Sequence, residues 1–286
     1  MATPASRWKQ RLATLATSLA VTLAASVAWG LPAHAATVVY TALGDSYSSG
    51  VGTRSYYSDG TSCQRSQYAY PVLVKSQIGA TTFVFAACSG AKVGDVLNTQ
   101  LGSLSASTTH ITLSVGGNDA GFGSVISKCA LPWPYTCWGE INNANAYITN
   151  TLPGALDNLY NRIRALAPNA RVVIVGYPRL FNESDCQSLS RISPGEQVEL
   201  NHTADLLATT IQSRAVAHGF AFADPRPSFK GHAVCDATEW INGISNPTSE
   251  SYHPNQTGHA SGYTPLVKNA LQSATVKAAA AAKSKK

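Results

Sequence analysis

Five short runs of β-branched and aromatic residues recur along the chain: "TVVYTAL" (37–43), "TTFVFAA" (81–87), "HITLSV" (110–115), "RVVIVGY" (171–177) and "FAFAD" (220–224). Each is apolar along most of its length rather than alternating. Strands covered on both faces have that pattern, and such strands belong to a parallel sheet. Helical stretches lie between them. The clearest runs from Ser193 to His218, where Ser193-Pro194-Gly195-Glu196 forms a capping box with proline at the first helical position. Leu200, Ala204, Leu207, Ile211 and Ala215 then recur at three- and four-residue steps, and Gly219 closes the helix. A second helix is predicted over Asn143 to Ala167, interrupted near Pro153, and a last one after Pro254. The alternation predicts a three-layer α/β/α sandwich around a five-stranded parallel sheet. Right-handed crossovers then bring the carboxyl ends of the strands, and with them the site, to one edge. There is no internal repeat and no interdomain linker, so 36–275 reads as one domain.

The two ends read differently. Arg7, Lys9 and Arg11 precede an apolar run from Leu12 to about Trp29, and "AHA" at 33–35 resembles a signal-peptidase site. Residues 1–35 are therefore expected to be a secretory leader, and the mature chain to be soluble and exported. The formal net charge of +6 is concentrated at the ends. Without the three basic residues of the leader and the four lysines of the tail, 14 of the 21 basic residues stand against 15 acidic ones. That balance excludes a basic face for nucleic acid. The Ala/Lys-rich tail, 276–286, is expected to be a disordered extension. Six cysteines in an exported chain imply three disulfides, and Cys129 and Cys137 are close enough to pair locally. No CxxC pair and no Cys/His cluster has ligand spacing, which argues against a metal site.

The chemistry is expected at "TALGDSYSSG" (41–50), which holds three serines. Ser46 directly follows the first strand at the start of a helix, where unpaired N–H groups can face an oxyanion. Ser48 and Ser49 lie further along. The string departs from the nucleophile elbow G-x-S-x-G, because Ser48 stands where its last glycine belongs, and that fold carries its serine well inside the chain. A serine nucleophile needs a base. Of seven histidines, His253 in "SESYHPNQTGH" lies in a loop before the last helix, on the same edge; His232 stays open, and His259 falls inside the helix. "SVGGNDAGFG" follows the third strand and offers the Asn118 amide. "ACSGA" follows the second and offers the Gly90 N–H, which can approach closely because no Cβ intervenes.

These four blocks, "GDSYSSG", "CSGA", "GGND" and "SYHPN", resemble in order and separation those of the GDSL or SGNH esterase and lipase family. The resemblance spans nearly the whole mature chain and looks closest to secreted actinobacterial lipases and phospholipase A1 enzymes. It implies a flavodoxin-like SGNH hydrolase sandwich, acyl-ester hydrolysis, and neither metal nor cofactor. It implies Ser46 as nucleophile, His253 as base and acid, and an oxyanion hole of Ser46, Gly90 and Asn118. It also implies cysteines paired in sequence order, Cys63–Cys88, Cys129–Cys137 and Cys186–Cys235.

The chain departs from the family at one place. Where the family carries aspartate three residues before the histidine, Glu250 stands here. The main-chain carbonyl of Ser251 is the favoured support for His253, with Glu250 as the alternative. The expected substrates are acyl esters of glycerolipids, handled by a monomer with transient contact to a lipid interface. "CALPWPYTCWGE" (129–140) would present Trp133, Tyr135 and Trp138 to that interface, or fold them over the core. Two other assignments stay open: an esterase for small or carbohydrate acyl esters, and an exported binding module without activity.

Overall fold

The computed structural model describes residues 37–131, 134–184 and 192–273. The leader 1–35, the tail 276–286, Trp133 and Cys186 lie outside these. Five parallel strands, β1 (Val39–Gly44), β2 (Thr82–Phe85), β3 (His110–Ser114), β4 (Arg171–Val175) and β5 (Ala221–Ala223), form one sheet in the order β2-β1-β3-β4-β5. β1, β3 and β4 are buried almost throughout, and the edge strand β2 is half-exposed. This accounts for the near-continuous apolar runs: both faces of the inner strands are covered.

The helices are α1 (Ser46–Ser49), α2 (Tyr70–Gln77), α3 (Val93–Asp95), α4 (Phe122–Cys129), α5 (Trp138–Asn150), α6 (Leu152–Leu166), α7 (Pro194–Ala217) and α8 (Thr264–Gln272). α8 packs on β4 and β5 and α2 packs on α8, whereas α4, α5, α6 and α7 pack on one another, with α7 against β4 and β5. α7 begins as expected. The Ser193 hydroxyl accepts from the Glu196 N–H, and the Glu196 carboxylate accepts from the Ser193 N–H at 3.1 Å. The helical stretch around Pro153 is two helices, broken at Thr151, with the first starting earlier than expected, at Trp138.

The order 2-1-3-4-5 reverses direction between β1 and β3, and in open α/β sheets ligands bind at such a switch point, beyond the carboxyl ends of the strands. Gly44 ends β1 at that point. Its N–H donates to Gln100 Oε1 and its carbonyl accepts from Gln100 Nε2, both at 2.8 Å, so a side-chain amide continues the ladder. Its φ is +130°, and an added Cβ would stand 2.5 Å from the Ser114 carbonyl oxygen. Only glycine lets the chain leave β1 this close to β3. Gly44→Ala is expected to lower unfolding free energy by about 3 kcal/mol or more in chemical denaturation, from backbone strain and overpacking together. An unchanged midpoint would contradict this role.

Candidate active site

α1 is a single turn, so its macrodipole is small. Asp45 caps it. Its Oδ1 accepts from the Tyr47 N–H at 3.1 Å and from the Ser114 hydroxyl at 2.8 Å, and its Oδ2 from the Tyr177 hydroxyl at 2.5 Å. Burial pushes this carboxyl up to about 6, against those three donors. The three serines separate cleanly. Ser48 is fully buried, with its Oγ 2.8 Å from both the Tyr70 hydroxyl and Ser114 Oγ. Ser49 is buried and its hydroxyl donates to the Ser46 carbonyl at 3.4 Å. Of the three, Ser46 alone lines the cleft described below.

Ser46 Oγ stands 2.8 Å from His253 Nε2, across 207 residues of sequence. The other ring nitrogen, Nδ1, lies 2.8 Å from the Ser251 carbonyl oxygen. A carbonyl can only accept, so Nδ1 carries the proton and Nε2 is free to accept from Ser46. Glu250, the alternative support, does not reach the ring. Its buried carboxylate accepts from the Tyr56 hydroxyl at 2.7 Å and faces Arg54 Nε at 3.5 Å. Tyr252 between them has φ +59°, and that turn brings the Ser251 carbonyl, rather than the Glu250 side chain, onto Nδ1. His232 stacks on Trp240 at 3.7 Å and its Nδ1 donates to the Thr238 carbonyl at 2.8 Å; His259 is buried with Nδ1 accepting from the Tyr70 N–H.

Asn118 follows β3, and its Nδ2 donates to the Ala91 carbonyl at 3.1 Å, leaving its second N–H for the cleft. Asn118 and Ser46 line that cleft together. Gly90 is not among its lining residues. It sits at φ +79° in the turn before Ala91, so the Asn118–Ala91 bond draws the two turns together. Among the described residues, neither the Ser46 nor the Gly90 N–H is used in a hydrogen bond. Cys63 and Cys88 form a disulfide that ties the loop after α1 to this turn, and Cys129 pairs with Cys137. The expected Cys186–Cys235 pair involves Cys186, which lies outside the described residues. No group of three His, Cys, Asp or Glu side chains among the described residues is placed to hold a metal ion.

From Ser46 the cleft runs between α4, α5 and α7 and opens to solvent. Its walls are apolar, among them Phe122, Val125, Ile126, Ile148, Leu200 and Leu207. Nothing in the sequence marked these residues, because a cleft wall and a core face share the same helical periodicity.

A family model described as the GDSL-like lipase/acylhydrolase family matches residues 42–261. The chain belongs to this family. It is 43% identical over 258 residues to Lipase 1 of Streptomyces coelicolor, covering 90% of this chain and 94% of that one. Among solved structures, the extracellular lipase of Streptomyces rimosus is 40% identical with a TM-score of 0.78. The phospholipase A1 of Streptomyces albidoflavus NA297 is 42% identical with a TM-score of 0.79. Each alignment covers 82% of this chain and the whole of the other. The matched span of the family model runs from β1 past His253, so it takes in all four blocks of this member of the GDSL-like family.

Burial governs protonation here. His253 packs against Tyr47 and Phe122, with ring centroids 5.2 and 5.9 Å away. Desolvation pushes its imidazolium down to about 4, and the bond to Ser251 offsets only part of this. Between that value and the ordinary 6.5 the unfolded chain binds the extra proton. The stability associated with neutral His253 is therefore present above 6.5 and lost as pH falls toward 4. Asp45 acts in the opposite sense: its contribution is present below 3.8 and lost as pH rises through about 6. In an NMR titration of the folded protein, the His253 ring is expected to titrate with a midpoint near 4. A midpoint near the ordinary value would contradict a desolvated imidazole.

Proposed function

We propose that the chain is a secreted serine carboxylic-ester hydrolase that cleaves acyl esters of glycerolipids, as a phospholipase A1, a lipase or both. One observation carries this: a serine hydroxyl bonded to a neutral, buried imidazole opens onto an apolar cleft. His253 Nε2 takes the Ser46 proton while Oγ attacks the ester carbonyl. The tetrahedral oxyanion is held by the Ser46 and Gly90 N–H groups and the second Nδ2–H of Asn118. Each such donor is typically worth about 2.7–4 kcal/mol. The imidazolium then protonates the leaving alcohol, and the intermediate collapses to acyl-Ser46. Water attacks this ester as His253 takes its proton, and the imidazolium returns a proton to Ser46 Oγ as the acid departs. Ser251 contributes only its carbonyl, which fixes the tautomer.

The apolar walls suit a long acyl chain better than an acetyl group or a sugar. Tyr135 and Trp138, exposed at 57% and 43%, stand at the disulfide-closed connection between α4 and α5, two of the helices that line the cleft. Aromatic rings exposed beside an acyl-binding cleft support transient contact with a lipid–water interface. Export is supported by the paired cysteines and by the likeness to an enzyme described as extracellular. Every group invoked comes from one chain, which fits a monomer.

The test is product analysis on phosphatidylcholine carrying different acyl chains at sn-1 and sn-2, with Ser46→Ala as control. Release of the sn-1 acid is expected, and its loss in Ser46→Ala. Release of acetate from acetylated xylan with no acid from phospholipid would overturn the lipid assignment; full activity in Ser46→Ala would overturn the mechanism.

A further inference from the structure

His253 depends on the carbonyl two residues before it, and that contact requires an unusual backbone. Tyr252, between them, is held at φ +59°, the left-handed region that a bulky side chain rarely occupies. Left to itself this peptide would relax, and the Ser251 carbonyl would swing off Nδ1. Three features hold it. The Tyr252 N–H donates to the Asn242 carbonyl and the Asn242 N–H to the His253 carbonyl, each at 2.9 Å. The Tyr252 ring is buried against Phe181, 5.5 Å between centroids. The Tyr252 carbonyl, finally, accepts from the Tyr47 hydroxyl at 2.7 Å.

The last contact comes from the residue next to the nucleophile. The Tyr47 N–H is fixed by Asp45 Oδ1 at 3.1 Å, and its ring is wedged edge-on against Tyr177, 5.0 Å away. The position of its hydroxyl is therefore set by the same turn that sets Ser46. Burial pushes the phenol well up, so it remains a donor. A carboxylate on Nδ1 would attract the imidazolium as well as orient it. A neutral carbonyl only orients, so the ring's aim depends on how firmly the backbone is held.

We propose that Tyr47 is a positioning residue, whose hydroxyl pins the strained Tyr252 peptide and thereby keeps His253 aimed at Ser46. The proposal rests on His253 being the base. Tyr47→Phe removes the hydroxyl and keeps the ring. On a soluble p-nitrophenyl butyrate substrate, kcat is expected to fall about 10–100-fold with KM within about threefold, the pattern of a misaimed catalytic group. The downfield Nδ1–H resonance of His253, observed in the cold, is expected to broaden or vanish through exchange with water. That signal needs only folded protein at low temperature, so it stays readable if Tyr47→Phe melts earlier. A hydroxyl that only filled space would lower thermal stability without moving the resonance. An unchanged kcat and an unchanged resonance, alongside inactive His253→Ala, would overturn the proposal. Active His253→Ala would instead show that the base assignment had failed.

Discussion

The active-site geometry depends on one hydrogen bond, from His253 Nδ1 to the Ser251 carbonyl. It dictates the tautomer, and the tautomer dictates that Nε2 faces Ser46 as an acceptor. Burial and a neutral partner act together on this ring. Desolvation keeps it uncharged down to about 4, and among the described residues no carboxylate bonds to the ring to pull it toward the charged form. The imidazole is thus held as an acceptor toward the Ser46 hydroxyl through the neutral range, as the proposed role of base requires.

The sheet brings the partners together. Ser46 leaves β1 and Asn118 leaves β3, the two strands at which the sheet order reverses, and Gly90 leaves β2 beside them. Gly44 allows the close departure from β1, and the Asp45 carboxylate then binds Tyr47 just after β1, Ser114 at the end of β3 and Tyr177 just after β4. The apolar cleft lies to one side, between α4, α5 and α7. Hydrogen bonds therefore concentrate at the strand ends and apolar surface between the helices, so polar chemistry and substrate packing occupy separate parts of one cleft.

Much of this was legible in the sequence because it is local. Apolar runs mark buried strands, Ser193 and Glu196 mark the start of α7, and Ser46, Gly90 and Asn118 each stand within a few residues of a strand end. What was not legible depends on contacts between distant residues. The Tyr47–Tyr252 bond spans 205 residues. Spacing alone could not choose between Glu250 and the Ser251 carbonyl, since the outcome turns on the φ of Tyr252, a residue whose type gives no hint of a left-handed conformation. The walls of the cleft were invisible for a different reason: Val125, Ile148 and Leu207 have the chemistry and periodicity of core residues, and only the gap between their helices makes them a binding surface.

We propose that a main-chain carbonyl, not a carboxylate, supports His253 as the base, and Glu250→Gln separates the two. The change removes the charge but keeps an acceptor for the Tyr56 hydroxyl that Glu250 now holds at 2.7 Å. Steady-state kinetics on a soluble ester should give a kcat within about tenfold of the unmodified chain. A fall of about 10⁴-fold, the scale seen when a triad carboxylate is neutralised, would contradict it.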